Sequence, residues 1–152
     1  MTVKECIDIV DNTKPNQYGV DDKVRWLSFL DMIIVNDVLK THEDFDRRYE
    51  DFEGYSADRL AMKLIADAPY DQMYVEYLKM KIDEENGETA RYNNTATMFN
   101  SYFSIYKKWY NKTHMPLQVD RHYPKPMPRP FPRPFPKPEP PQDGEQEVEE
   151  TE

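Results

Sequence analysis

Cysteine occurs once in this chain, histidine three times and glycine four times among 152 residues. A lone Cys6 leaves no partner for an internal disulfide and no multi-cysteine metal site, and it fits a reducing compartment. His42, His114 and His122 stand in no spacing that forms a metal pair, and the isolated glycines build no phosphate-binding loop. No apolar run reaches about 18 residues, so nothing reads as spanning a membrane. The opening stretch MTVKECIDIVDN lacks the apolar block of a secretory leader, which predicts a soluble protein made in the cytoplasm. Positive charge is short as well. Lys and Arg number 20 against 29 Asp and Glu, a net charge of -9, which argues against a surface built to grip nucleic acid. There is no Gly-x-Ser-x-Gly elbow and no Cys/His nucleophile arrangement. The expectation is a protein that is not an enzyme and uses no cofactor.

Proline is plentiful but confined. Ten of the 13 prolines lie between Pro124 and Pro141, and the end beyond Gln142 is acidic. The composition therefore divides the chain into a domain over residues 1–120, a Pro-rich segment over 121–141 and an acidic tail over 142–152, the last expected to be disordered. The first part is long enough for one modest core.

Within it the periodicity is helical, and the fold class expected is all-α. Thr2 and Glu5 have capping-box spacing, and Val3, Cys6, Ile7 and Val10 follow on one helix face. Cys6 reads there as a small buried residue rather than a reactive thiol, since no cation or His is patterned beside it. Lys14-Pro15-Asn16 breaks that helix, and Asp21 or Asp22 is placed to cap the next, from Lys23 to about Lys40. In it Val24, Leu27, Leu30 or Ile34, and Val38 share one side, while Trp26, Phe29 and Ile33 form a second stripe. A helix apolar on two sides is covered twice, by its own domain or by a neighbouring subunit. Residues 42–53 are charged, with Phe45, Tyr49 and Phe52 spaced for a short surface helix. The acidic cluster around His42 reads as a solvated loop rather than a metal site. Residues 58–67 suit either strand or helix, with a lean to helix.

The densest apolar stretch runs from Ala68 to Pro116 and reads as a long antiparallel helix hairpin. Pro69 is placed in the first turn of its first helix, Asn86-Gly87 is the joint, and the second helix runs to about Thr113. Tyr74, Tyr77, Phe99, Tyr102, Phe103 and Tyr106 are expected to pack; Trp109, the outer tyrosines and the Asn93-Asn94 pair are candidates for contact with another protein. Asn-Asn inside a helix is unusual, and a frayed start or kink at that point is the plainer explanation.

The Pro-rich segment reads YPKPMPRPFPRPFPKPEPP. Proline at alternate positions excludes helix and paired strand and holds each intervening residue to extended geometry. A polyproline II rod of about 50 Å results. It serves either as a spacer or as a ligand that lays Arg129, Phe131, Arg133 and Phe135 along an acidic, aromatic-lined groove of a partner.

Several segments together resemble a known family: TVKECIDIVDNTKPN, DDKVRWLSFLD, KTHED, and above all APYDQMYVEYL, IDEENGETARYNNTATMFN and WYNKTHMP. Residues 2–116 are similar to the head–tail connector, or adaptor, proteins of tailed phages. The resemblance implies a structural virion protein that oligomerises as a dodecameric ring beneath the portal. It implies binding to the portal protein and to a neck, stopper or tail-completion protein, with genomic DNA passing through the lumen without sequence-specific binding. Virion localisation follows, and an acidic lumen would let DNA slide. The Pro-rich tail departs from the family, whose members mostly stop soon after the THMP segment. The rival expectation is a free, monomeric cytoplasmic module that presents a polyproline ligand.

Overall fold

In the computed structural model, which describes residues 1–117, four α-helices carry the chain: α1 (Val3–Thr13), α2 (Val20–Asp37), α3 (Gln72–Glu85) and α4 (Thr89–Thr113). Among the described residues there is no strand, only single antiparallel bridges from Thr2 to Lys63 and from His42 to Pro116. The class is all-α. The Pro-rich segment and the acidic tail lie outside the described residues.

Helix α1 starts as its sequence dictates. Thr2 Oγ1 accepts from the Glu5 amide and Glu5 Oε2 accepts from the Thr2 amide, closing the capping box. That amide bond also holds the Glu5 carboxyl below its ordinary range. The next two free amides of the first turn are met from elsewhere: Val3 donates to Met62 O and Lys4 to Leu60 O, both at 3.0 Å. Residues 60–64 thus lie along the start of α1, and the expected helix over 58–67 is replaced by a turn through Leu60 and a single bridge from Lys63 to Thr2. Only the turn Ala57–Arg59 is helical, and Leu64 and Ala66 then point inward in alternation.

Three other expectations need correction. Helix α2 is capped by Gly19, with Asp21 and Asp22 inside the first turn, where carboxylates still favour the positive end of the helix. Residues 42–53 hold one turn, Arg47–Tyr49, rather than a surface helix, because the Asp46 carboxylate takes the Arg48 amide and starts a tight turn. Phe45, Tyr49 and Phe52 nevertheless lean on the core from this loop. Pro69 lies before α3 rather than in its first turn: the Tyr70 amide bonds to Asp67 O, and the helix begins only at Gln72.

Between α3 and α4 the chain turns at Asn86 and at Gly87, whose φ of +68° suits glycine. Contacts then run in reverse order along the pair: Asp83 with Thr95, Tyr77 with Phe99, Tyr70 with Tyr106 and Trp109. The two helices are antiparallel neighbours. The helix is not frayed at Tyr92-Asn93-Asn94-Thr95: it is continuous from Thr89, the Tyr92 amide bonds to Glu88 O at 2.8 Å, and Thr95 reaches back to α3.

The core gathers Val3, Cys6 and Val10 of α1, Leu27, Leu30 and Ile34 of α2, and Met73, Tyr74, Leu78 and Ile82 of α3. These residues expose at most 2 % of their surface. Truncating any one of the larger aliphatics to Ala would cost about 2–5 kcal/mol, against a typical total of 5–15. Helix α4 contributes far less: of its 25 residues, only Tyr106 and Tyr110 are buried.

Candidate partner-docking surface

Two chemically distinct places stand out on this framework, one sealed and one open. The sealed one is centred on Asp31 of α2, fully buried. Tyr74 donates to its Oδ1 and Tyr55 to its Oδ2, and the Ile65 amide also points at Oδ2 from 3.4 Å. Burial pushes the Asp31 carboxyl up to about 6, against the pull of these donors. The same burial raises both tyrosines. Tyr74 in turn accepts the Ala66 amide at 3.0 Å, so Asp31 ties α2, α3 and the 55–66 segment together. Enclosed on all sides, it is a structural junction. Cys6 is sealed as well, its thiol pushed up to about 12 by burial, which makes it a packing residue as expected.

The open place is a groove of about 630 Å³ where the C-terminal half of α4 meets the turn before α3 and the 44–49 loop. Its wall is aromatic. Tyr70 stacks on Trp109 with centroids 4.7 Å apart, and Tyr110 stacks on His114 at 3.8 Å. Trp109 and Tyr110 stand edge to face between the two stacks, at 6.2 Å. Helical spacing places Tyr106, Trp109, Tyr110 and Thr113 along neighbouring turns, and Tyr70 is carried to them by the turn at Asp67. The rim is acidic, formed by Asp44, Asp46 and Asp67. Asp46 is held by Arg48, whose guanidinium keeps its carboxyl below the ordinary range. Asp44 and Asp67 have no ion-pair partner among the described residues.

The candidate contact residues fall in different places. Trp109 is 39 % exposed and forms part of the groove. Trp26 is covered by its own chain, at 8 % exposure and 5.4 Å from the Tyr18 ring. Phe29 of the same stripe is 56 % exposed and edges a shallower hollow beside Glu53 and Tyr55, while Ile33 is half-buried. Asn93 and Asn94 are exposed on α4, far along the helix from Trp109. The structure therefore does not bring these candidates into one surface. Arg129, Phe131, Arg133 and Phe135 lie outside the described residues.

The acidic rim escaped the sequence reading. Asp44 and Asp46 read as a solvated loop, and Asp67, which opens the turn before α3, as the start of the hairpin. The available signal was the crowding of Trp109, Tyr110 and His114 at the helix end.

Comparison with family models, with curated proteins and with solved structures finds no match to this chain. Among the described residues no helix is long and apolar enough to cross a membrane, and no group of His, Cys, Asp and Glu is placed to hold a metal ion.

Proposed function

We propose that this protein is a structural component of a tailed-phage virion. It is a head–tail connector subunit that assembles as a ring under the portal and joins the head to the neck. The domain is a small bundle built on the α3–α4 hairpin, with the Pro-rich segment as an extended arm. Its partners are copies of itself, the portal protein and a neck or stopper protein, around a channel that DNA traverses without sequence-specific contact.

The observation that carries this reading is the uncovered side of α4. A 25-residue helix is about 37 Å long, yet it buries two residues and shows Met98, Ile105 and Trp109 to solvent. Phe29 shows a second apolar exposure on α2. A ring subunit needs two different surfaces, one for each neighbour, because its contacts are head-to-tail. Unpartnered apolar positions on two separate helices meet that requirement. The family resemblance of residues 2–116 supplies the portal and the neck as the neighbours above and below.

The test mixes purified full-length protein with purified portal and follows mass and negative-stain images. A ring seated on the portal is expected. A protein that stays monomeric and never joins the portal overturns the connector reading and favours the free polyproline-presenting module.

A further inference from the structure

We propose that the acidic aromatic groove at the end of α4 is the docking site for the Pro-rich segment, residues 124–137, of a second copy of this chain. The arm of one subunit would lie in the groove of the next.

Complementarity carries the inference. Between Pro124 and Pro138 the sequence holds four cations, Lys125, Arg129, Arg133 and Lys137, and no carboxylate. The groove offers Asp44 and Asp67 without ion-pair partners among the described residues, and Asp46 held only by the exposed Arg48. Its wall of stacked Tyr70, Trp109, Tyr110 and His114 is the kind of surface on which proline rings and guanidinium planes settle. A proline-rich ligand loses little conformational freedom on binding, so such a groove needs no deep cavity. Phe131 and Phe135 add apolar surface at intervals along the same segment.

Where the chain leaves the described region favours a second copy over the same one. Leu117 donates to Thr41 O at 2.9 Å and Glu43 to Met115 O at 2.8 Å, so residues 115–117 run antiparallel to 41–43, beside Asp44. Pro124 follows only seven positions after Leu117. An alternating-proline sequence resists turning, because each residue before a proline is kept out of the helical region. Met115 lies beside Glu43 and Leu117 beside Thr41, so the chain is stepping away from Asp44 where the described residues end. A second copy can present its arm to the groove from any direction. The contact is head-to-tail, and it can propagate around a ring.

The inference stands on the groove and the segment and requires no portal, so its test uses this protein alone. Full-length protein is followed by sedimentation velocity over a wide concentration range, with two variants. One is Phe131→Ala/Phe135→Ala in the Pro-rich segment; the other is Asp44→Lys/Asp67→Lys; folding of both is checked by circular dichroism. Concentration-dependent association of the unmodified chain is expected, weakened by salt and lost in each variant alone. Mixing the two variants should restore a one-to-one pair and nothing larger, since one retains a working groove and the other a working arm. Trp109 fluorescence should shift as the pair forms. Three outcomes overturn the proposal: no association of the unmodified chain, association unchanged in the arm variant, or no pairing in the mixture. A Trp109 signal that depends on Phe131 and Phe135 but not on concentration would assign the groove to the chain's own arm.

Discussion

Tyr74 gives its hydroxyl proton to Asp31 at 2.5 Å, joining α3 to α2 across 43 residues of sequence. Its oxygen also receives the Ala66 amide, so one phenol satisfies a buried carboxylate and a buried backbone donor together. No buried side-chain nitrogen or oxygen among the described residues lacks a partner. Tyr74→Phe keeps the ring and removes both bonds. An unmet buried group costs about 1–3 kcal/mol, so a loss of about 2–3 kcal/mol is expected, read as a lower urea midpoint at unchanged slope. Tyr55→Phe should cost about 1 kcal/mol, because Tyr55 is half-exposed and water can replace it.

The Asp31 carboxyl also predicts a pH dependence. Its folded value of about 6 lies above the ordinary 3.8, so the native state holds a proton that the unfolded chain releases. The resulting stabilisation is complete below pH 3.8 and is lost as the pH rises through 6. A shift of this size corresponds to about 3 kcal/mol at most. Comparing the unmodified protein with Asp31→Asn across this range isolates the effect. The unmodified chain should gain on the variant as pH falls from neutral. The opposite trend would mean that the tyrosine donors, not burial, govern this carboxylate.

Asp83 is the second buried anion, at 0 % exposure. Lys14 reaches its Oδ1 from the end of α1, and Thr95 Oγ1 bonds to its Oδ2 at 3.0 Å from α4. Asp83→Ala strands a largely buried ammonium and should cost about 3 kcal/mol. Thr95→Val removes one neutral donor and should cost about 1 kcal/mol. A double-mutant cycle between Lys14→Met and Asp83→Ala, read by chemical denaturation, should give strong coupling.

Gly54 has φ of +109°, and a Cβ there would stand 2.7 Å from Ser28 Cβ. Ser28 cannot retreat: its hydroxyl donates to Val24 O and accepts the Tyr55 amide. Gly54→Ala should therefore lose about 2–3 kcal/mol from backbone strain and overlap together. Thermal unfolding of this variant should begin at a clearly lower temperature, whereas Gly19→Ala, whose Cβ would meet only Asp22 Oδ2 at 4.0 Å, should show a much smaller change.

Local patterns carried much of the architecture. The capping box at Thr2 and Glu5, the stripe Val3, Cys6, Ile7 and Val10, and the stop at Asn86-Gly87 each depend on neighbours within one or two turns. Such signals survive in a linear sequence because the interacting groups are close along it. The stretch 58–67 misled for the opposite reason. Its helical turn stops at Arg59 and the chain then lies along α1, because the Leu60 and Met62 carbonyls meet the free amides of that helix, nearly sixty positions away. No local preference announces such a bond.

Helical periodicity, an acidic balance of charge, a thiol on an apolar helix face, and a Pro-rich, basic segment followed by an acidic end are all legible along the chain. Those properties follow from periodicity, composition and spacing. Only the tertiary structure decided that Asp44, Asp67, Tyr70 and Trp109 share one groove, and that Trp26 faces inward while Phe29 faces out. The reason is physical. Residues on a loop, a turn and a helix end have no fixed spacing in the chain; packing of α4 against α3 and the pairing of 41–43 with 115–117 bring them together.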